Sequence, residues 1–144
     1  TVLDVTGEPV TAGQIQARRR LEAKPGDAIA IAPPPFVAQL DEAGTYAMHL
    51  DSGDYDFSVL PEAESGAPPT VLDDLHISET LQLDVDLPPP GLAHITVAAP
   101  DGTPLPDVTI ELYRSDDTSV PPRVLVKGTT DADGVVDLLV PHLP

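Results

Sequence analysis

One pattern of turns and strands occurs twice in this chain, and that repetition limits what it can fold into more than any other feature. The first copy reads Gly7, Pro9, Val10 and Ile15, then Asp41, Gly44, Tyr46, Met48 and Leu50; the second reads Gly102, Pro104, Leu105 and Ile110, then Asp131, Gly134, Val136, Leu138 and Val140. Offsets within each half-motif are identical. Only the stretch between the halves differs, with 37 residues from Gly7 to Gly44 against 32 from Gly102 to Gly134. A length difference confined to one place marks a variable loop in a repeated module. Two β modules in tandem are therefore expected, spanning 1–87 and 92–144.

Period-two alternation recurs along the chain and helical periodicity does not, so the fold class is all-β. In the first module the pattern predicts strands over 2–5, 14–21, 28–32, 36–40, 45–50, 55–59, 71–77 and 81–87. Leu81, Leu83, Val85 and Leu87 are expected inward in the last of these, and Tyr46, Met48 and Leu50 inward in the fifth. Pro33, Pro34 and Pro35 donate no backbone hydrogen bond and are expected at an exposed corner. Turns are assigned to Gly7, Pro9, Gly44 and Gly53, and in the second module to Gly102, Pro104 and Gly134. The run 88–91 reads as a short, semi-rigid proline linker. Beyond it, strands are expected over 93–98, 108–112, 124–126 and 136–140, after which the sequence ends. The first module continues past the equivalent point, so the second is expected to be cut short or completed by a strand from another chain, and the sequence is expected to be a segment of a longer precursor.

The residues just quoted, with the run Gly53-Asp54-Tyr55-Asp56-Phe57 and the closing Thr80-Leu81-Gln82-Leu83-Asp84-Val85, carry a family resemblance. The chain resembles tandem carboxypeptidase regulatory-like domains, which are transthyretin-like (prealbumin-like), Greek-key or Ig-like β-sandwiches related to collagen-adhesin B-type repeats. The resemblance covers 1–87 fully and 92–144 in part, and it rests on turn and core residues. It implies a non-catalytic spacer, stalk or docking module of a secreted or cell-surface bacterial protein, extracellular or periplasmic, partnered by another protein or by further domains of its parent. The alternative it leaves open is a glycan- or peptide-binding accessory module of a secreted enzyme. B-type repeats often carry a Lys-to-Asn isopeptide bond; this chain has no Asn, and Lys24 and Lys127 lie outside the first strand.

Composition narrows the partners. A net charge of −17 argues against sequence-independent binding to nucleic acid, whose phosphates demand clustered Lys and Arg. The only basic cluster is Arg18-Arg19-Arg20, which on a strand splits between two faces and is expected to guard an edge or pair with acids. No apolar run approaches a membrane span, so no membrane insertion is expected. Five aromatic residues require cores built from aliphatic side chains, and of the five only Tyr113 is expected to face outward.

Nothing in the sequence assembles a reaction, and no cofactor is expected. His49, His76, His94 and His142 lack metal-ligand spacing. Ser52, Ser65 and Ser115 sit in turns, where a hydroxyl caps backbone groups. The calcium candidates are Asp131 and Asp133, closely spaced before Gly134, with Asp51, Asp54, Asp116 and Asp117 behind them; the bidentate Glu of a calcium loop is missing, and a hairpin turn is the primary reading. The acidic pairs Glu62 with Glu64 and Asp73 with Asp74 read as solvated carboxylates.

Overall fold

The computed structural model describes residues 1–20, 33–117 and 122–142, so Lys24 and the strand expected over 28–32 lie outside the described residues. The described residues form ten strands, one short 3-10 turn (Ala63–Ser65) and no α-helix. In chain order the strands are β1 (Val2–Leu3), β2 (Gly13–Arg19), β3 (Phe36–Gln39), β4 (Gly53–Pro61), β5 (Thr70–Ile77), β6 (Val85–Asp86), β7 (Pro90–Thr96), β8 (Thr109–Tyr113), β9 (Val124–Thr129) and β10 (Val135–Pro141). No helix among them is long and apolar enough to cross a membrane.

Pairing stays within each repeat. The first builds a four-stranded antiparallel sheet in the order β3-β2-β4-β5 and a short parallel pair, β1 with β6; the second builds two antiparallel pairs, β7 with β10 and β8 with β9. The inner face of the four-stranded sheet follows from the alternation. Ile15 and Ala17 on β2 and Tyr55, Phe57 and Val59 on β4 are buried against Val2, Val10, Leu40, Val85 and Leu87. Tyr55 sits at the centre, edge-on to both Phe36 and Phe57, and its hydroxyl donates to the Asp51 carbonyl at 3.0 Å. Each such aromatic buries roughly 150–250 Å², which lets a chain this poor in aromatics still close a core.

The repeat is legible bond by bond. Val2 N–H donates to Gly44 O as Val97 N–H donates to Gly134 O, and Val10 N–H returns to Val2 O as Leu105 N–H returns to Val97 O. Asp41 and Asp131 close the same turn: each accepts the N–H of its Gly44 or Gly134, and each side chain accepts the N–H two and four residues on. Pro9 and Pro104 form matching isolated bridges with Leu3 and Ala98. One core position differs in kind. Leu40 of the first repeat is replaced by buried Thr130, whose hydroxyl donates to Leu105 O at 2.8 Å and accepts Val108 N–H at 2.9 Å.

Several expectations need correction. The strand over 2–5 ends at Leu3, because Asp4 turns the chain by accepting the N–H groups of Thr6 and Glu8, leaving Val5 58% exposed. Residues 45–50 alternate as expected, with Tyr46, Met48 and Leu50 half-buried, yet they join no ladder. The strand over 81–87 pairs only at Val85–Asp86, and Leu81, expected inward, is 51% exposed. Phe36, placed in the core or a corner, is 45% exposed beside Tyr113 at 47%, so Tyr113 is not alone among outward aromatics. Pro90 and Gly91 are strand, not linker: they open β7 opposite Pro141 and Val140, since a proline at the first residue of a strand withholds no needed donor.

Gly134 carries a positive φ of 70°, and a Cβ there would lie 2.4 Å from Val97 O and 3.0 Å from Leu105 N. Gly102 has φ 87° but open space around it. Urea unfolding is therefore expected to show a loss of about 1 kcal/mol for Gly102→Ala, from backbone conformation alone, and a clearly larger one, about 3 kcal/mol, for Gly134→Ala. Equal losses would show that the close approach at Gly134 does not matter.

Candidate functional site

Among the described residues, charged side chains are gathered and withdrawn from water at one place, between the repeats. It begins with an irregularity of the first sheet. The β4–β5 register slips between Tyr55↔Leu75 and Phe57↔Leu72, so that Asp73 and Asp74 together stand opposite Asp56. Such a bulge carries an extra residue that must bend the strand, and Asp74 adopts a left-handed φ of 60° to do it. Asp74 N–H donates to Asp56 Oδ1 at 3.2 Å. The result is three carboxylates on the outer face of the sheet, in a chain already rich in acid.

Three arginines answer them. Arg20, just past β2, contacts Asp74 and lies 3.9 Å from Asp56. The other two come from the second repeat. Arg114 Nη1 donates to Asp73 Oδ2 at 2.7 Å while its other nitrogens hold Asp116 at 2.7 and 2.9 Å. Arg123, only 13% exposed at its side chain, donates to Asp73 Oδ1 at 2.9 Å and to both oxygens of Asp117 at 3.2 Å; its Nη1 stands 3.3 Å from Asp56 Oδ2 without the alignment of a hydrogen bond. Forked guanidinium groups suit this task because they bind carboxylates through two parallel donors and lose less hydration than an ammonium.

The electrostatics divide the acids. Burial pushes the Asp56 carboxyl above its ordinary value, and the nearby charges of Arg123 and Arg20 only partly offset this. Burial also acts on Asp73, but the hydrogen bonds from Arg123 and Arg114 outweigh it and hold that carboxyl below the ordinary range. Asp116 is lowered first by its hydrogen bond from Arg114. Beside this cluster, a cleft of about 580 Å³ separates the outer face of β2 and β4, through Gln14, Gln16, Arg18 and Ser58, from Val124, Val126 and Lys127 of β9. The junction is thus a charged clasp beside an open gap of mixed polar and apolar lining. Chemically it can hold two modules at a fixed angle.

Asp131 uses its carboxylate to cap the N–H groups of Asp133 and Val135, and Asp133 is exposed at the turn. Asp116 and Asp117, also calcium candidates, are arginine partners. Among the described residues no three His, Asp or Glu side chains converge as a metal would need. Exposed His76 pairs with Asp54 and exposed His94 with Asp137, each at 2.6 Å. Ser65 caps as expected, donating to Glu62 O and accepting Ala67 N–H. The Arg18–Arg20 triplet guards no edge, because β2 is paired on both sides; Arg20 pairs with acids and Arg19 donates to Ser52 O. Asp56, which alternates with the inward Tyr55 and Phe57 and so falls on the opposite face, is nonetheless only 9% exposed, and Asp73 is no free carboxylate. Only the paired spacing of Arg114 and Asp116 hinted at the clasp; the bulge that assembles its other half left no signal in the pattern.

No family model, curated protein or solved structure matches this chain.

Removing one partner from a buried ion cluster strands the others without compensation. Arg123→Met is expected to cost about 3 kcal/mol in urea unfolding, and Arg123→Lys to recover little of it, since an ammonium cannot span Asp117 and Asp73 together. A loss below about 0.5 kcal/mol would place Arg123 with ordinary surface ion pairs. The pH dependence follows from Asp73. Because its folded pKa is depressed, its contribution is present above the unfolded carboxylate value near 4 and is lost as pH falls through the lower folded value. Asp56 acts in the opposite sense, so its ionisation weakens the fold as pH rises through its elevated value. Stability is expected to fall on the acid side of about pH 4, with a shallower fall in Asp73→Asn; identical acid limbs would remove Asp73 from the account.

Proposed function

We propose that this chain is a non-catalytic structural module, two β-sandwich repeats of carboxypeptidase regulatory-like, transthyretin-like type, which holds a fixed spacing within a secreted or cell-surface protein. The observation that carries the reading is the clasp itself: Arg114 and Arg123 of the second repeat close on Asp73 and Asp56 of the first. A chain whose repeats worked independently has no use for buried charge between them, because a flexible linker joins modules without desolvating arginine. The short connection supports the same reading. Only Leu87, Pro88 and Pro89 separate β6 from β7, and His142 N–H donates back to Pro89 O at 2.8 Å. Sandwich closure is the natural two-layer reading of a sheet that buries Ile15, Tyr55, Phe57 and Val59 on one face against β1 and β6.

In this reading the acid excess serves solubility and keeps neighbouring copies apart, and the turns of both repeats face partners as docking surface. Small-angle scattering, with residual dipolar couplings from both repeats, tests it. One alignment tensor is expected to fit both repeats of the parent chain, and two tensors with a broader distance distribution are expected for a doubly substituted Arg114→Gln, Arg123→Gln chain. Independent tensors in the parent chain would refute the rigid spacer.

A further inference from the structure

The cleft between the repeats differs in charge from the rest of the molecule. The chain carries 24 acidic and 7 basic side chains, yet the described walls of this cleft of about 580 Å³ hold three cations, Arg18, Arg123 and Lys127, against one acid, Glu111. That acid already accepts the Tyr113 hydroxyl at 2.5 Å. Arg123 is held in the clasp, whereas among the described residues neither Arg18 nor Lys127 forms an ion pair.

Strand register arranges the rest of the lining. On β2, Ile15 and Ala17 point into the core, which leaves Gln14, Gln16 and Arg18 on the outer face at every second residue, a row roughly 14 Å long. Beside that row on β4, Leu60 stands opposite Gln14 and Ser58 opposite Gln16. The facing wall is apolar along Val124 and Val126 of β9 and ends in the Lys127 ammonium. One clasp fixes both walls. Arg123 lines the cleft while it holds Asp73 and Asp117, and Asp56, its other neighbour, is the register partner of Arg18. A preformed cleft between two modules, with a few polar groups converging from both, is a usual setting for a ligand.

The chemistry of the lining selects that ligand. Arg18 and Lys127 call for anionic oxygen, and a planar guanidinium fits a carboxylate through two parallel donors. Each Gln amide and the Ser58 hydroxyl can both donate and accept, as sugar hydroxyls do. Val124 and Val126 give the C–H face of a sugar ring an apolar surface to cover. A peptide matches this floor less well, because β2 and β4 are each paired on both sides and have no backbone edge to pair with it. We infer that the cleft binds a carboxylated oligosaccharide, a chain of uronate sugars. Its carboxylates meet Arg18 and Lys127, its hydroxyls meet Gln14, Gln16 and Ser58, and one ring face covers Val124 and Val126. Repulsion from the net charge of the whole chain is screened beyond about 8 Å at physiological salt, so contacts inside the cleft decide binding. The site goes beyond the spacer role proposed above and rests on the same fixed relation of the two repeats.

The probes are trimers of galacturonate, guluronate and mannuronate, titrated into the full chain in calcium-free buffer by calorimetry and amide-resolved NMR. Saturable one-to-one binding of at least one is expected, with shifts at Gln14, Gln16, Ser58 and 124–127. Neutral galactotriose is expected to bind at least about tenfold more weakly, and so is the uronate trimer to Arg18→Gln and to Lys127→Gln. Both variants are expected to keep the melting temperature of the parent, which separates a lost contact from a lost fold. No binding of any uronate, equal binding of galactotriose, undiminished binding by either variant, or tighter binding of triglutamate overturns the inference. A single alignment tensor without uronate binding leaves the spacer standing and removes this site; uronate binding with independent tensors does the reverse.

Discussion

Each repeat hangs on a contact that only glycine permits. Gly44 and Gly134 take a left-handed conformation with their Cα against the backbone of the first strand; a Cβ would meet Val2 O at 2.9 Å in one repeat and Val97 O at 2.4 Å in the other. That approach lets the glycine carbonyl accept the N–H of Val2 or Val97, while the same strand residue accepts from Val10 or Leu105. Three chain segments are thereby tied at one point. The aspartate turn, the proline corner and the strand that enters the core all take their positions from it. A glycine suits such a point because the positive φ that strains other residues costs it little.

The clasp between the repeats depends on a different device. The first sheet breaks its own ladder at Asp73 and Asp74, and the bulge concentrates acid where the second repeat brings arginine. Acid concentrated in this way opposes folding until it is paired, which is why Asp56 is pushed upward by burial while Asp73, gripped by two guanidinium groups, is held down. Buried ion pairs add little net stability against an apolar interface, but they penalise every arrangement that leaves one member unpaired. The clasp therefore sets geometry more than it adds strength, which is what the proposed spacer role requires.

Much of the fold was open to reading from the pattern. The repeat, the all-β class, the matched turns at Gly7, Gly44, Gly102 and Gly134 and the inward faces of β2, β4 and β10 all follow from local rules of alternation and turn chemistry. The departures cluster where a residue's surroundings come from far along the chain. Leu81 and Phe36 have apolar patterning that fits an inward face, yet both line an open cleft between 46–51 and 79–83. Asp56 follows the polar half of its alternation faithfully and is buried all the same, because Arg123 covers the face that should have met water. Thr130 reads as a polar neighbour of the turn and is a core residue, its hydroxyl spent on two backbone groups.

The sequence alone determined what is periodic and short in range: strand faces, corners and the doubling of the module, since these depend on side-chain order and on the conformational limits of glycine and proline. The tertiary structure alone decided which carboxylates are solvated and which are clasped, and which apolar side chains of the described residues stay exposed. Those outcomes turn on a bulge of one residue and on the placement of one repeat over the other, and charge pairing across 50 residues of chain, as between Asp73 and Arg123, leaves no mark on the alternation of either strand.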